Sequence, residues 1–118
     1  MKPETGKLQQ RLQALQHQYR EELAGKISQL EKNWRQFIGQ KDRQALDSLL
    51  HDAHNLTGSG ALYGYHQIST IARELEQLLT DIQKSRKQPG SNKRQSIERC
   101  IRTLHLTAQN PVQPATPP

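Results

Sequence analysis

Apolar side chains recur at steps of three and four along most of this chain, the spacing of one face of an α-helix rather than of a strand. Leu8, Leu12, Leu15, Tyr19 and Leu23 fall at heptad-like intervals, and Leu23, Ile27, Leu30, Trp34 and Phe37 continue the stripe. Read as one helix this stretch would run roughly 50 Å, long for a compact domain. Gly25 is the natural break. The reading is a first helix near 6–22 and a second near 26–38 ended by Gly39, with a single bent helix as the alternative. A third helix starts at about Asp42, a suitable N-cap, and runs to about Leu62 with Leu46, Leu49, Ala53, Leu56, Gly60 and Tyr63 on one face. Gly64 then makes the turn. A fourth, over 65–84, carries Ile68, Ile71, Leu75, Leu78 and Ile82. Residues 85–92 read as a linker, and Ser91 or Asn92 caps a fifth helix that buries Ile97, Ile101 and Leu104 and ends near Ala108. The pattern predicts an all-α fold, an antiparallel bundle of four helices with the fifth capping or extending it. Residues 1–109 form the bundle. Residues 110–118, with four prolines, read as an extended, mobile tail or a linker in a longer protein.

Composition narrows the class. A chain of 118 residues suffices for one domain with a modest core. The hydrophobic fraction of 32% is low, but polar helices can bury a narrow stripe and keep their other faces wet. No apolar run is long enough to span a membrane, and the start Met1-Lys2-Pro3-Glu4 lacks the apolar stretch of a signal peptide. The single cysteine, Cys100, fits a reducing compartment and lies beside Ile101 as a small core residue. A cytoplasmic location is the expectation. The net charge of +6 invites a nucleic-acid reading. The basic residues are scattered, however, with the densest group (Lys84, Arg86, Lys87, Lys93, Arg94) flanking Pro89-Gly90. Five aromatic residues are too few for a stacking platform. An acidic protein partner accounts for the charge equally well.

One segment carries chemistry: His54-Asn55-Leu56-Thr57-Gly58-Ser59-Gly60-Ala61-Leu62-Tyr63-Gly64. It places a histidine on a helix that then accepts two glycines, together costing roughly 2 kcal/mol relative to alanine. Gly60 continues the apolar stripe, so it faces the core and lets a neighbouring helix approach. Gly58 lies four residues beyond His54 on the outward face, where packing gives it no role. It clears space beside His54 for another molecule.

The segment resembles the histidine-containing phosphotransfer (HPt) domain, whose pattern is His-x-Leu-Lys-Gly-Ser-Ser/Gly-x-x-x-Gly followed by a Leu-Glu or Leu-Gln pair. Here it reads His54, Leu56, Gly58, Ser59, Gly60 and Gly64, then Leu75-Glu76. Thr57 stands where the family has lysine. The resemblance implies a four-helix bundle with an additional N-terminal helix as a cap. It implies that His54 accepts a phosphoryl group from, or donates it to, a receiver-domain aspartate in two-component signalling. In the family the attacking nitrogen is Nε2, while Nδ1–H donates to the residue matched by Glu76, which also stabilises the positive character of the phosphorylated ring. The protein is then a phosphohistidine carrier rather than an independent enzyme. It needs no cofactor, because magnesium belongs to the partner receiver.

Around His54 on one helical face lie Leu50 and His51 a turn before, and Thr57, Gly58 and Ala61 after. This is the candidate docking surface for the receiver. Leu50 reads equally as a boundary residue of the core. Thr57 can offer a hydroxyl to the phosphoryl oxygens or bond back to the Ala53 carbonyl; either way the phosphohistidine loses the lysine's charge unless a basic side chain from elsewhere replaces it. His51 and His54, with His66 at the next helix, come close to metal-ligand spacing, but no converging third and fourth ligand is evident beyond Asp52 and Glu76. No metal site is expected. His17 and His105 read as surface or boundary residues. The competing function is a non-catalytic helical adaptor that docks receivers or nucleic acid without carrying phosphate.

Overall fold

A computed structural model describes residues 3–109, with side chains from residue 6 onward. The proposed tail over 110–118 lies outside the described residues. Four helices follow one another: α1 (Pro3–Gln40), α2 (Arg43–Leu62), α3 (His66–Ser85) and α4 (Ser91–Gln109). Each packs against two neighbours, α1 on α2, α2 on α3, α3 on α4 and α4 on α1, closing an antiparallel ring. Most of the interior comes from the predicted stripes, with Leu23, Ile27, Leu30, Trp34, Phe37, Leu46, Leu49, Ala53, Leu56, Ile68, Leu75, Ile82, Ile97, Ile101 and Leu104 all buried. On α3, however, Ala72 and Leu79 are buried where the stripe named Ile71 and Leu78, which are half-buried with Tyr63, and on α1 Leu8 and Leu15 are exposed.

The expected division of the N-terminal stretch into two helices is overturned. α1 is one helix of 38 residues and passes through Gly25 and Gly39. Gly25 is exposed with open space around it, so it costs helix propensity alone, about 1 kcal/mol. Burial of Leu23 on one side and of Ile27 and Leu30 on the other far outweighs that. The additional N-terminal helix is thus the first half of α1. Its end comes one residue past Gly39, where Lys41 takes the left-handed conformation at φ 54°.

The other boundaries follow from local chemistry. The Asp42 carboxylate accepts from Gln44 N at 3.0 Å and Ala45 N at 3.3 Å, capping α2. Gly64, at φ 85°, turns the chain from α2 into α3. At that end Tyr19 stacks on Tyr63 and Tyr65, with ring centroids 4.9 and 5.7 Å apart. The Gln16 side-chain amide donates to the Tyr63 carbonyl at 3.0 Å, and the Tyr65 hydroxyl donates to the Gln16 carbonyl at 3.2 Å. Together these fasten α1 to the α2–α3 turn. Cys100 is buried among the packed helices, and burial pushes its thiol up to about 11.

Candidate functional site

Every fixed point between α2 and α3 belongs to one antiparallel register. A Cβ built on Gly60 would meet Ser69 N at 3.1 Å and the Ser69 Cα and Cβ at 3.3 Å. Lower down, His54 Nδ1 is 2.7 Å from Glu76 Oε2, and the Gln83 side-chain amide donates to Asp47 Oδ1 at 2.8 Å. Gly60 is therefore the small residue that lets the two helices approach, as the stripe predicts. The Ser69 hydroxyl donates to the Thr57 carbonyl at 2.7 Å and locks the contact.

That register sets the geometry of His54. Its side chain is 71% exposed, whereas the Glu76 carboxylate is only 25% exposed at the helix seam. The contact between them requires the Nδ1–H tautomer when the ring is neutral, with Nδ1 donating to the carboxylate. Nε2 then carries the free lone pair and faces solvent. The Thr80 hydroxyl donates to the Glu76 carbonyl at 2.8 Å one turn further along α3.

Beside the imidazole, a Cβ on Gly58 would meet nothing within 4 Å. His51 and Ala61 are exposed on the same stretch of α2. The Asn55 amide donates to His51 Nε2 at 3.1 Å, so that ring is engaged within its own helix. Leu50 is half-buried and packs against the core. It occupies the boundary and keeps one edge on the outer face.

Thr57 requires a correction. The expected docking face includes it, yet it is buried at the α2–α3 seam. Its hydroxyl donates to the Ala53 carbonyl at 2.9 Å. Position 57 sits between the core stripe and the outer face, and a short side chain there turns inward and satisfies itself on the preceding turn. The hydroxyl is thereby removed from the surface that surrounds His54.

One residue outside the sequence reading helps build the site, and a second lies level with it. Ser69 is the surface against which Gly60 closes; a lone serine on a helix gives no signal until its partner's register is known. Arg73 lies one turn before Glu76 on α3, which the register puts level with Thr57 and Gly58. It is exposed and makes no ion pair among the described residues. Ser59, part of the sequence pattern, has its hydroxyl 2.8 Å from that of Tyr19, tying α2 to α1. Among the described residues no group of three histidine, cysteine or carboxylate side chains converges as a metal site, and no helix is long and apolar enough to cross a membrane.

No curated protein and no solved structure gives a significant match to the chain. The family model of the Hpt domain, by contrast, matches residues 7–109, which spans all four helices from the second turn of α1 to the end of α4. A match over that length, on a bundle with an exposed histidine beside a glycine and a carboxylate on the facing helix, settles the family: this chain belongs to the Hpt domains, the phosphotransfer modules of two-component signalling.

Proposed function

We propose that His54 is the phosphoryl carrier of this domain, exchanging phosphate with the aspartate of a receiver domain. One observation carries the reading: a largely exposed imidazole is held at Nδ1 by Glu76, 2.7 Å away, and keeps Nε2 free. In the forward step the Nε2 lone pair attacks the phosphorus of an aspartyl phosphate. The N–P bond forms as the P–O bond to aspartate breaks, and the carboxylate leaves with the electron pair. The ring keeps its Nδ1 proton, and the positive charge it gains is balanced by the Glu76 carboxylate. The reverse step returns the phosphoryl group to a carboxylate.

The open side of α2 at Gly58, with His51, Ala61 and the edge of Leu50, is where the receiver approaches. The receiver brings magnesium and its own aspartates, and His54 serves as nucleophile and store. With the Thr57 hydroxyl engaged by Ala53, Arg73 supplies the positive charge for the phosphoryl oxygens. A guanidinium suits that task through its fork of N–H donors.

Incubation with a phosphorylated receiver domain tests this. Label should appear on the chain, be acid-labile and alkali-stable, and vanish in His54→Gln. Binding of the receiver without any transfer would leave only a docking module, the adaptor reading. Salt-steep binding to DNA or RNA in place of receiver binding would replace both.

A further inference from the structure

The first turns of α1 extend past the bundle. α1 has 38 residues against 20 in each of α2 and α3, and its continuous burial begins only at Tyr19. Before that point Leu8 and Leu15 are 64% and 47% exposed. Leu8, the half-buried Leu12 and Leu15 are spaced four and three apart, the seam spacing of a two-stranded coiled coil, and the row runs into Tyr19, which is buried in its own bundle. A projecting helix of this length is marginal in water unless its apolar seam is covered. We propose that the seam is covered by the same segment of a second copy of this chain, running antiparallel.

Charge selects the direction. Lys7 and Arg11 make the outer half of the segment basic, while the acids Glu21 and Glu22 lie where it enters the bundle, balanced by Arg20 and Lys26. An antiparallel pair brings the basic end of each copy toward the Glu21–Glu22 pair of the other; a parallel pair sets the two basic ends at one level. The positions flanking the seam are Gln9, Arg11, Gln16 and Gln18, three of them neutral. With Leu12 opposite the partner's Leu15, Arg11 faces the partner's Gln18 and Gln9 faces the partner's Gln16. No like charges meet, and nothing on the flanks selects an oppositely charged foreign helix.

Shape selects it too. The seam runs in line with the stripe that faces the core from Tyr19 to Phe37. A parallel pair would drive both bundles into one space below Tyr19, whereas the antiparallel pair sets them at opposite ends. Leu62, 72% exposed beside the turn to which Gln16 is bonded, adds apolar surface at the end that the partner's Leu8 reaches. An overlap of roughly fourteen residues per copy falls short of the ~1,600 Å² of a standard stable interface. The association is therefore weak and concentration-dependent.

Sedimentation equilibrium of the full chain from about 10 μM to about 1 mM, a range that brackets weak association, should show monomer passing to dimer. The double variant Leu8→Glu/Leu15→Glu should stay monomeric with unchanged thermal melting, since neither residue contributes to the core. Wild-type protein that is monomeric throughout, or a variant that dimerises equally, would overturn the proposal. Direction is read separately from a spin label on Lys26→Cys, with Cys100 protected by burial and its raised pKa. The antiparallel pair places the labels roughly 35–40 Å apart from the rise per residue. A separation under about 20 Å, that of adjacent parallel helices, would also refute it.

Discussion

Gly58 and Gly60 differ by two positions and should respond to alanine with opposite signs. Both replacements recover helix propensity, about 0.8–1 kcal/mol each. At Gly58 nothing opposes the gain, because the new methyl enters open space. Gly58→Ala should therefore stabilise the bundle by about 0.5–1 kcal/mol, a rise of about 4 °C in Tm for a domain of this size. At Gly60 the methyl arrives 3.1 Å from Ser69 N, and the neighbour is backbone that cannot swing aside. Overpacking of that kind costs about 1–3 kcal/mol, so Gly60→Ala should be neutral to destabilising by up to about 2 kcal/mol. The functional responses differ as well. The Gly58 methyl stands one turn from His54, about 5–6 Å between Cβ atoms. It should slow transfer from a receiver while leaving carbethoxylation of His54 by a small reagent unchanged. Gly60→Ala should disturb both, because relief of the clash displaces the helix that holds Glu76. Thermal melts paired with a receiver-transfer assay decide the matter. Equal stabilisation by the two alanines, or a Gly58→Ala protein that transfers at the wild-type rate, would refute the reasoning.

Other outcomes follow from named contacts. Glu76→Ala should leave the melt nearly unchanged but slow phosphoryl transfer on the order of tenfold to a hundredfold, the usual loss when a functional histidine's orienting partner is removed, and Glu76→Gln should recover part of it because its carbonyl still accepts from Nδ1–H. Arg73→Ala should shorten the phosphohistidine half-life, and Thr57→Lys should lengthen it as the long stem reaches out of the seam; acid-lability time courses on labelled protein measure both, and two unchanged half-lives would reject the charge argument. Burial raises the phenol pKa of Tyr19 and Tyr65 above 10, so their contribution to stability is complete below pH 10 and is lost as pH rises through the folded values. Tm should thus fall on the alkaline side, with a shallower fall in Tyr19→Phe. Gly25→Ala, on the exposed face of an unbroken helix, should raise Tm by about as much as Gly58→Ala.

The parts of the fold that the sequence makes legible are those written in local chemistry. Asp42 marks the start of α2 and Gly64 the turn because caps and left-handed residues leave their signature at single positions. The stripes of α2, α3 and α4 repeat cleanly enough to name most of the buried residues. The sequence alone divides α1 at Gly25, because a glycine reads the same whether the chain breaks there or passes through. What decides is the burial of Leu23 and Ile27 on either side, a property of helices not yet assembled. The site divides along the same line. His54, Gly58 and Glu76 belong to a pattern in the chain. The inward turn of Thr57, the contact of Ser69 with Gly60 and the level of Arg73 depend on the alignment of one helix along another, which no single stretch encodes.

The carboxylate that grips His54 belongs to a different rod from the one bearing the ring, and this makes the proposed carrier sensitive to sliding. A slip of α3 along its axis by the rise of two residues, about 3 Å, stretches the 2.7 Å contact to about 4 Å, beyond hydrogen-bond reach, and frees the ring to spin. Traction on α3 would then throttle phosphate traffic with the imidazole itself untouched. Ser69, wedged against Gly60 two turns above, is the ratchet tooth that resists such creep.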